Sequence, residues 1–218
     1  VIGLKWLPPV FFGIVFAIAV FLYLFRHWWN VISYKLLVIS SITFRVFYAA
    51  LLTISQYYTW SKQGFGRLLL SSPLDNSLPA FLNKFPFIAE SRWGYFLFYS
   101  FGRFWLNVFI AIGVAFVFYL FLKFLKKYRE RFFIEGETEL GFLTALIVGW
   151  PNFVIFIPCV FVFVVLMSVF RGLFLKESYT TLGWPFILAA LIVLLWGGKL
   201  IQTLGLGVLK IWHITYNT

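Results

Sequence analysis

Residues 8–25 read PPVFFGIVFAIAVFLYLF. Eighteen residues without a charge are long enough to cross a bilayer core of about 30 Å as a helix with little tilt. A secretory signal peptide is the competing reading. No small-residue cleavage site follows, however, and the run ends on Arg26, His27, Trp28 and Trp29, a basic and aromatic interface anchor. The rest of the chain has the same character. Of its 218 residues 62% are hydrophobic, 23% aromatic and 11% charged, against roughly 25% charged in an ordinary soluble domain. One soluble core of this size cannot bury so much apolar surface, which excludes cytosolic enzymes, disordered chains and disulfide scaffolds.

Further apolar runs cover about 36–58, 102–122, 140–170 and 184–209. With 8–25 they predict an all-α polytopic integral membrane bundle of about five transmembrane helices, as a single domain over 1–218. The 59–94 stretch, punctuated by Gly64, Gly66, Pro73, Pro79 and Pro86, reads as a long extramembrane loop with interfacial segments. Within 140–170, Pro151 and Pro158 predict one kinked helix broken first at Gly149–Asn152.

The formal charge of +11 comes from 18 Lys and Arg against 7 Asp and Glu. In a membrane chain it reads as basic loops that set orientation and touch anionic lipid, so the bilayer is the expected partner and nucleic acid is not. The densest basic run next to a span is 123–131, with Lys123, Lys126, Lys127, Arg129 and Arg131. It is expected on the cytoplasmic side with the 26–35 loop. Five spans then put the C-terminus in the cytoplasm, and the N-terminus and the 59–94 loop outside. A single cysteine, Cys159, and two histidines, His27 and His213, give no basis for a disulfide, a metal site or a haem ligand, so no cofactor is expected.

Residues 134–152, IEGETELGFLTALIVGWPN, are the most informative for chemistry. They resemble the second catalytic motif of the prepilin peptidases, membrane aspartyl proteases of the type IV pilin system. That motif is a GxGD followed by V-K-L-G, an apolar run and G-W-P-N. Gly136 takes the second glycine position and Glu137 that of the catalytic Asp. Leu140 and Gly141 match the L-G pair, and Gly149 to Asn152 match the end. Ile134 replaces the first glycine. A second segment, GWPFILAALIVLLWG from Gly183, is similar to the family's P-F-G-P-F-L element that opens the final helix. The family's first motif is matched only by ITFRVFYAA, with Thr43 at the Asp position and Arg45 at the basic one, and without the proline.

The resemblance implies a protein of a pilus or secretion system in a bacterial or archaeal inner membrane. Thr43 and Glu137 stand at the catalytic pair. Arg45, Gly136 and Glu139 are candidate binding positions for a leader-peptide-like segment. Chemistry argues against full activity. Aspartyl proteolysis needs two carboxyls, one as base and one as acid, and Thr43 supplies neither. The extra methylene of Glu137 also shifts its carboxyl, and a misplacement of about 1 Å costs on the order of 10²-fold. A dyad of Glu137 with Glu135 or Glu139 is an alternative. So is a solvated acidic strip at a helix N-terminus. At the level of function, the alternative is a non-enzymatic subunit of a larger membrane complex, or an ion-translocating subunit using Arg45, an intramembrane cation.

Overall fold

The computed structural model describes residues 2–25, 34–72, 93–128, 133–175 and 181–209. The interface anchor at 26–29, Asp75, Arg129, Arg131 and His213 lie outside these residues. The described residues are mostly helical and hold no strand. They form α1 (Ile2–Leu24), α2 (Tyr34–Lys62), α3 (Gly64–Leu70), α4 (Gly94–Ser100), α5 (Leu106–Tyr128), α6 (Glu137–Val148), α7 (Phe153–Phe170) and α8 (Gly183–Thr203). A π-helical turn, Phe101–Trp105, joins α4 to α5 without a break. A second, Arg171–Leu175, follows α7.

Five segments are long and apolar enough to cross a membrane: Trp6–Leu24, Tyr34–Lys62, Gly94–Tyr128, Phe153–Phe174 and Gly183–Thr203. The chain is thus a multi-pass helical membrane protein. The basic run begins inside a helix, since Lys123, Lys126 and Lys127 belong to α5.

The chain divides into two compact units whose borders fall inside α2 and α5. One comprises Val1–Phe44 with Ile110–Lys210; the other is built on Arg45–Phe109. In the second unit Tyr57, Trp60, Trp93, Phe96 and Tyr99 form a ring cluster. Trp105 Nε1 donates to Thr53 Oγ1 at 3.2 Å, and the Arg103 guanidinium donates to the Tyr99 hydroxyl.

The first unit is organised around α6. This helix has 12 residues, about 18 Å, too short to span the hydrocarbon core. It is buried nearly all round, with Leu140, Leu143, Leu146 and Thr144 inaccessible to solvent. Thr144 can be there because its hydroxyl donates to the carbonyls of Leu140 and Gly141 in its own helix, both at 3.0 Å. The helix packs chiefly on α8 and also meets α1 and α7. Phe118 of α5 sets its ring edge-on to Phe153, Phe156 and Phe186, closing the core between α5, α7 and α8.

The structure replaces the single kinked helix expected over 140–170 with two. Gly149, with φ 63° and ψ 177°, ends α6 in a conformation disfavoured for residues with a Cβ. Pro151, which has no N–H to continue the ladder, follows through a cis bond. The two helices run in opposite directions. Asn152 sits beside Gly197, about 21 Å along α8 from Gly183, and Trp150 Nε1 donates to the Leu209 carbonyl at 3.0 Å. At the other end of α7, Arg171 shares a cavity lining with Ile134, Thr181 and Tyr23. The segments before α6 and before α8 therefore lie at the same end of the unit. Tyr23, at the end of α1, lies there too, so Trp6 and Leu209 both belong to the far end. The expectation of one continuous helix over 140–170 is thus corrected: the chain turns back in a hairpin at Gly149–Asn152.

Candidate functional site

Glu137 is the first residue of α6 and only 1% exposed. Its backbone entry is set by Gly136, which adopts φ 85°. A Cβ there would add left-handed strain and approach the Tyr34 ring to 3.0 Å. That geometry turns the Glu137 side chain inward, where four donors converge on it. Oε1 accepts the Tyr23 hydroxyl at 3.2 Å and the Gly183 backbone N–H at 3.0 Å. Oε2 accepts the backbone N–H groups of Ile134 at 3.1 Å and Leu182 at 3.2 Å.

Each donor has a local reason to be present. The first N–H groups of a helix have no partner within the helix. At α8 the exposed donors are those of Leu182 and Gly183, and Pro185 in the first turn has none to offer. A negative carboxylate at this end also opposes the positive end of the α8 dipole. Gly183 permits the approach: a Cβ on it would fall within the ring and hydroxyl atoms of Tyr23. Trp184 meets the Tyr23 ring edge-on, with centroids 5.7 Å apart.

A carboxylate offers about four lone-pair sites, and here all four are used. It therefore holds together the end of α1, the turn before α6 and the start of α8. A general base needs a lone pair aimed at water and a partner acid within reach. Among the described residues, the Glu137 lone pairs are taken up by these four donors and no second carboxyl is bonded to it.

The other expected positions are dispersed. Thr43 is exposed on α2. It lies about 13 Å along the helix axis beyond Tyr34, the α2 residue that reaches Gly136. The pair Thr43–Glu137 is not assembled. Arg45 is half-buried on the same helix and belongs to the second unit. Glu135 is exposed and Glu139 half-buried, and neither is bonded to Glu137, so the acids form neither a dyad nor a uniformly solvated strip. Among the described residues no cluster of His, Cys, Asp or Glu is arranged to hold a metal ion.

The sequence reading missed Tyr23 and the amides of Ile134, Leu182 and Gly183. A tyrosine ending a span reads as an interface residue, and backbone donors carry no sequence signal beyond the glycine and proline that open α8. No family model, curated protein or solved structure matches the chain.

Proposed function

We propose that the chain is a prepilin-peptidase-like membrane protein of a pilus or secretion system that has lost proteolysis. The acid of its second motif now serves as a structural cap. The observation that carries this reading is the commitment of both Glu137 oxygens to Tyr23, Ile134, Leu182 and Gly183. Two features support the family likeness. The motif-like segment at 134–141 and the GWPF segment at 183–186 resemble two elements of one family, and they meet in space at Glu137. In this reading the Glu137 end and the basic 123–131 run face the cytoplasm of a bacterium or archaeon, and that end offers a docking face for leader-peptide-like segments.

The test is direct. Full-length protein reconstituted in lipid is incubated with a prepilin-type substrate carrying its leader. No cleavage is expected, while the substrate is retained on the immobilised protein. Cleavage that disappears in Glu137→Gln overturns the loss of proteolysis. Absence of both cleavage and retention overturns the docking role and leaves the non-enzymatic subunit of a membrane assembly.

A further inference from the structure

The short helix α3 does not extend the span before it. Lys62 ends α2, and Gln63 breaks the helix with extended backbone, φ −98° and ψ 135°. Had α2 run on straight, Gly66 would stand about 9 Å beyond Trp60 along the axis. Instead Gly66 is buried directly against the Trp60 backbone. A Cβ on it would overlap the Trp60 carbonyl oxygen and lie 2.7 Å from the Trp60 Cα. The next residue is tied down as well, since Arg67 Nε donates to the Ser61 carbonyl at 2.8 Å. The seven residues of α3 are thus folded back across the end of α2, and they also pack on α4.

The same end of the second unit carries the rings that mark a membrane surface. Trp60 stacks on Tyr95, and Tyr57 on Trp93, joining the last turns of α2 to the start of α4. Lys62 Nζ lies 4.1 Å from the centre of the Tyr58 ring. Tryptophan, tyrosine and lysine gather where hydrocarbon gives way to headgroups. A helix pinned to Trp60 and Ser61 is held at that depth.

The helix is two-sided. Successive residues turn by about 100°, so Phe65, Leu68 and Leu69 share one face, and Gly66 and Arg67 lie on the other. The Gly66 side meets α2, while Phe65 is 73% and Leu68 64% exposed. Arg67 and Lys62 are exposed too. The surroundings of α3 therefore have to accept large apolar side chains on one flank and cations on the other. Beside a ring of interfacial aromatics, the boundary between acyl chains and phosphates accepts both.

We propose that α3 is an interfacial anchor. It lies in the plane of the bilayer surface, with Phe65 and Leu68 in the acyl boundary and Arg67 among the headgroup phosphates. It fixes the membrane boundary on α2 at Trp60–Lys62. The anchor is independent of any likeness to a peptidase.

Spin labels test the anchor in the full chain, in a Cys159→Ala background and in vesicles of phosphatidylcholine with phosphatidylglycerol. The labelled variants are Phe65→Cys, Leu68→Cys, Gln63→Cys and Ile54→Cys, all at exposed positions, so each label leaves the packed interior intact. Ile54, about 12 Å before Lys62 along α2, is the hydrocarbon reference, and Gln63 is the headgroup reference. Molecular oxygen concentrates in hydrocarbon, and a neutral nickel chelate stays in water. At Phe65 and Leu68 collisions with oxygen are expected to exceed those with nickel, at a depth between Gln63 and Ile54. Nickel exceeding oxygen at both positions would put this face in water and overturn the anchor. Suppressed collisions with both reagents would mean that protein covers the face, from elsewhere in this chain or from a second copy, and would overturn it equally.

Discussion

The Oε1 atom of Glu137 accepts the backbone N–H of Gly183 at 3.0 Å, and this bond joins the first residue of α6 to the first residue of α8. The two helices start at one end of the unit because of it. Three further donors on the same carboxylate extend the junction to α1 and to the turn before α6.

Gly183→Ala is expected to destabilise the protein by about 1–3 kcal/mol, because the new methyl overlaps the tip of the Tyr23 ring, which its bond to Glu137 and its contact with Trp184 hold in place. Gly198→Ala in the same helix is the control. Its Cβ meets nothing within 4 Å, and alanine favours a helix over glycine, so no loss is expected. Thermal unfolding of both variants in the same detergent checks the contrast.

Tyr23→Phe removes one of the four donors and keeps the ring against Trp184. A loss of about 1 kcal/mol is expected. In a double-mutant cycle with Glu137→Gln the two effects are expected to be non-additive, since the residues share one hydrogen bond. Strict additivity would mean that the hydroxyl works elsewhere.

The α6–α7 hairpin has a topological consequence. Single cysteines at Glu135 and Gly172, both exposed, are introduced into a Cys159→Ala background. A membrane-impermeant maleimide should label both from the same side of sealed vesicles. Labelling from opposite sides would restore a single crossing by 140–170.

The helical membrane class was legible because it depends on bulk quantities: uncharged runs of spanning length and a scarcity of charge. The limits of four spans were legible to within a few residues at most ends, with α5 reaching past the 122 boundary because basic residues tolerate a helix that leaves the bilayer. The hairpin was not. A Gly-Trp-Pro-Asn step interrupts a helix whichever way the chain then turns, and only contacts such as Asn152 with Gly197 decide the direction. The site was half legible. Glu137 stood out by its motif and its place at a helix start, but a carboxylate at a helix start can cap its own turn or a neighbouring helix. The choice of α8, and of Tyr23 as the fourth donor, depends on tertiary approach through Gly183.

Glu137→Gln tests the capping role most directly. The amide keeps the size of the side chain but replaces one acceptor oxygen by a donor, leaving up to two buried N–H groups unmatched. Unfolding of the full-length protein is expected to show a loss of about 3 kcal/mol, with no cleavage of a prepilin-type substrate by either form. Unchanged stability, together with cleavage by the native protein that the variant lacks, would contradict the structural role and return Glu137 to catalysis.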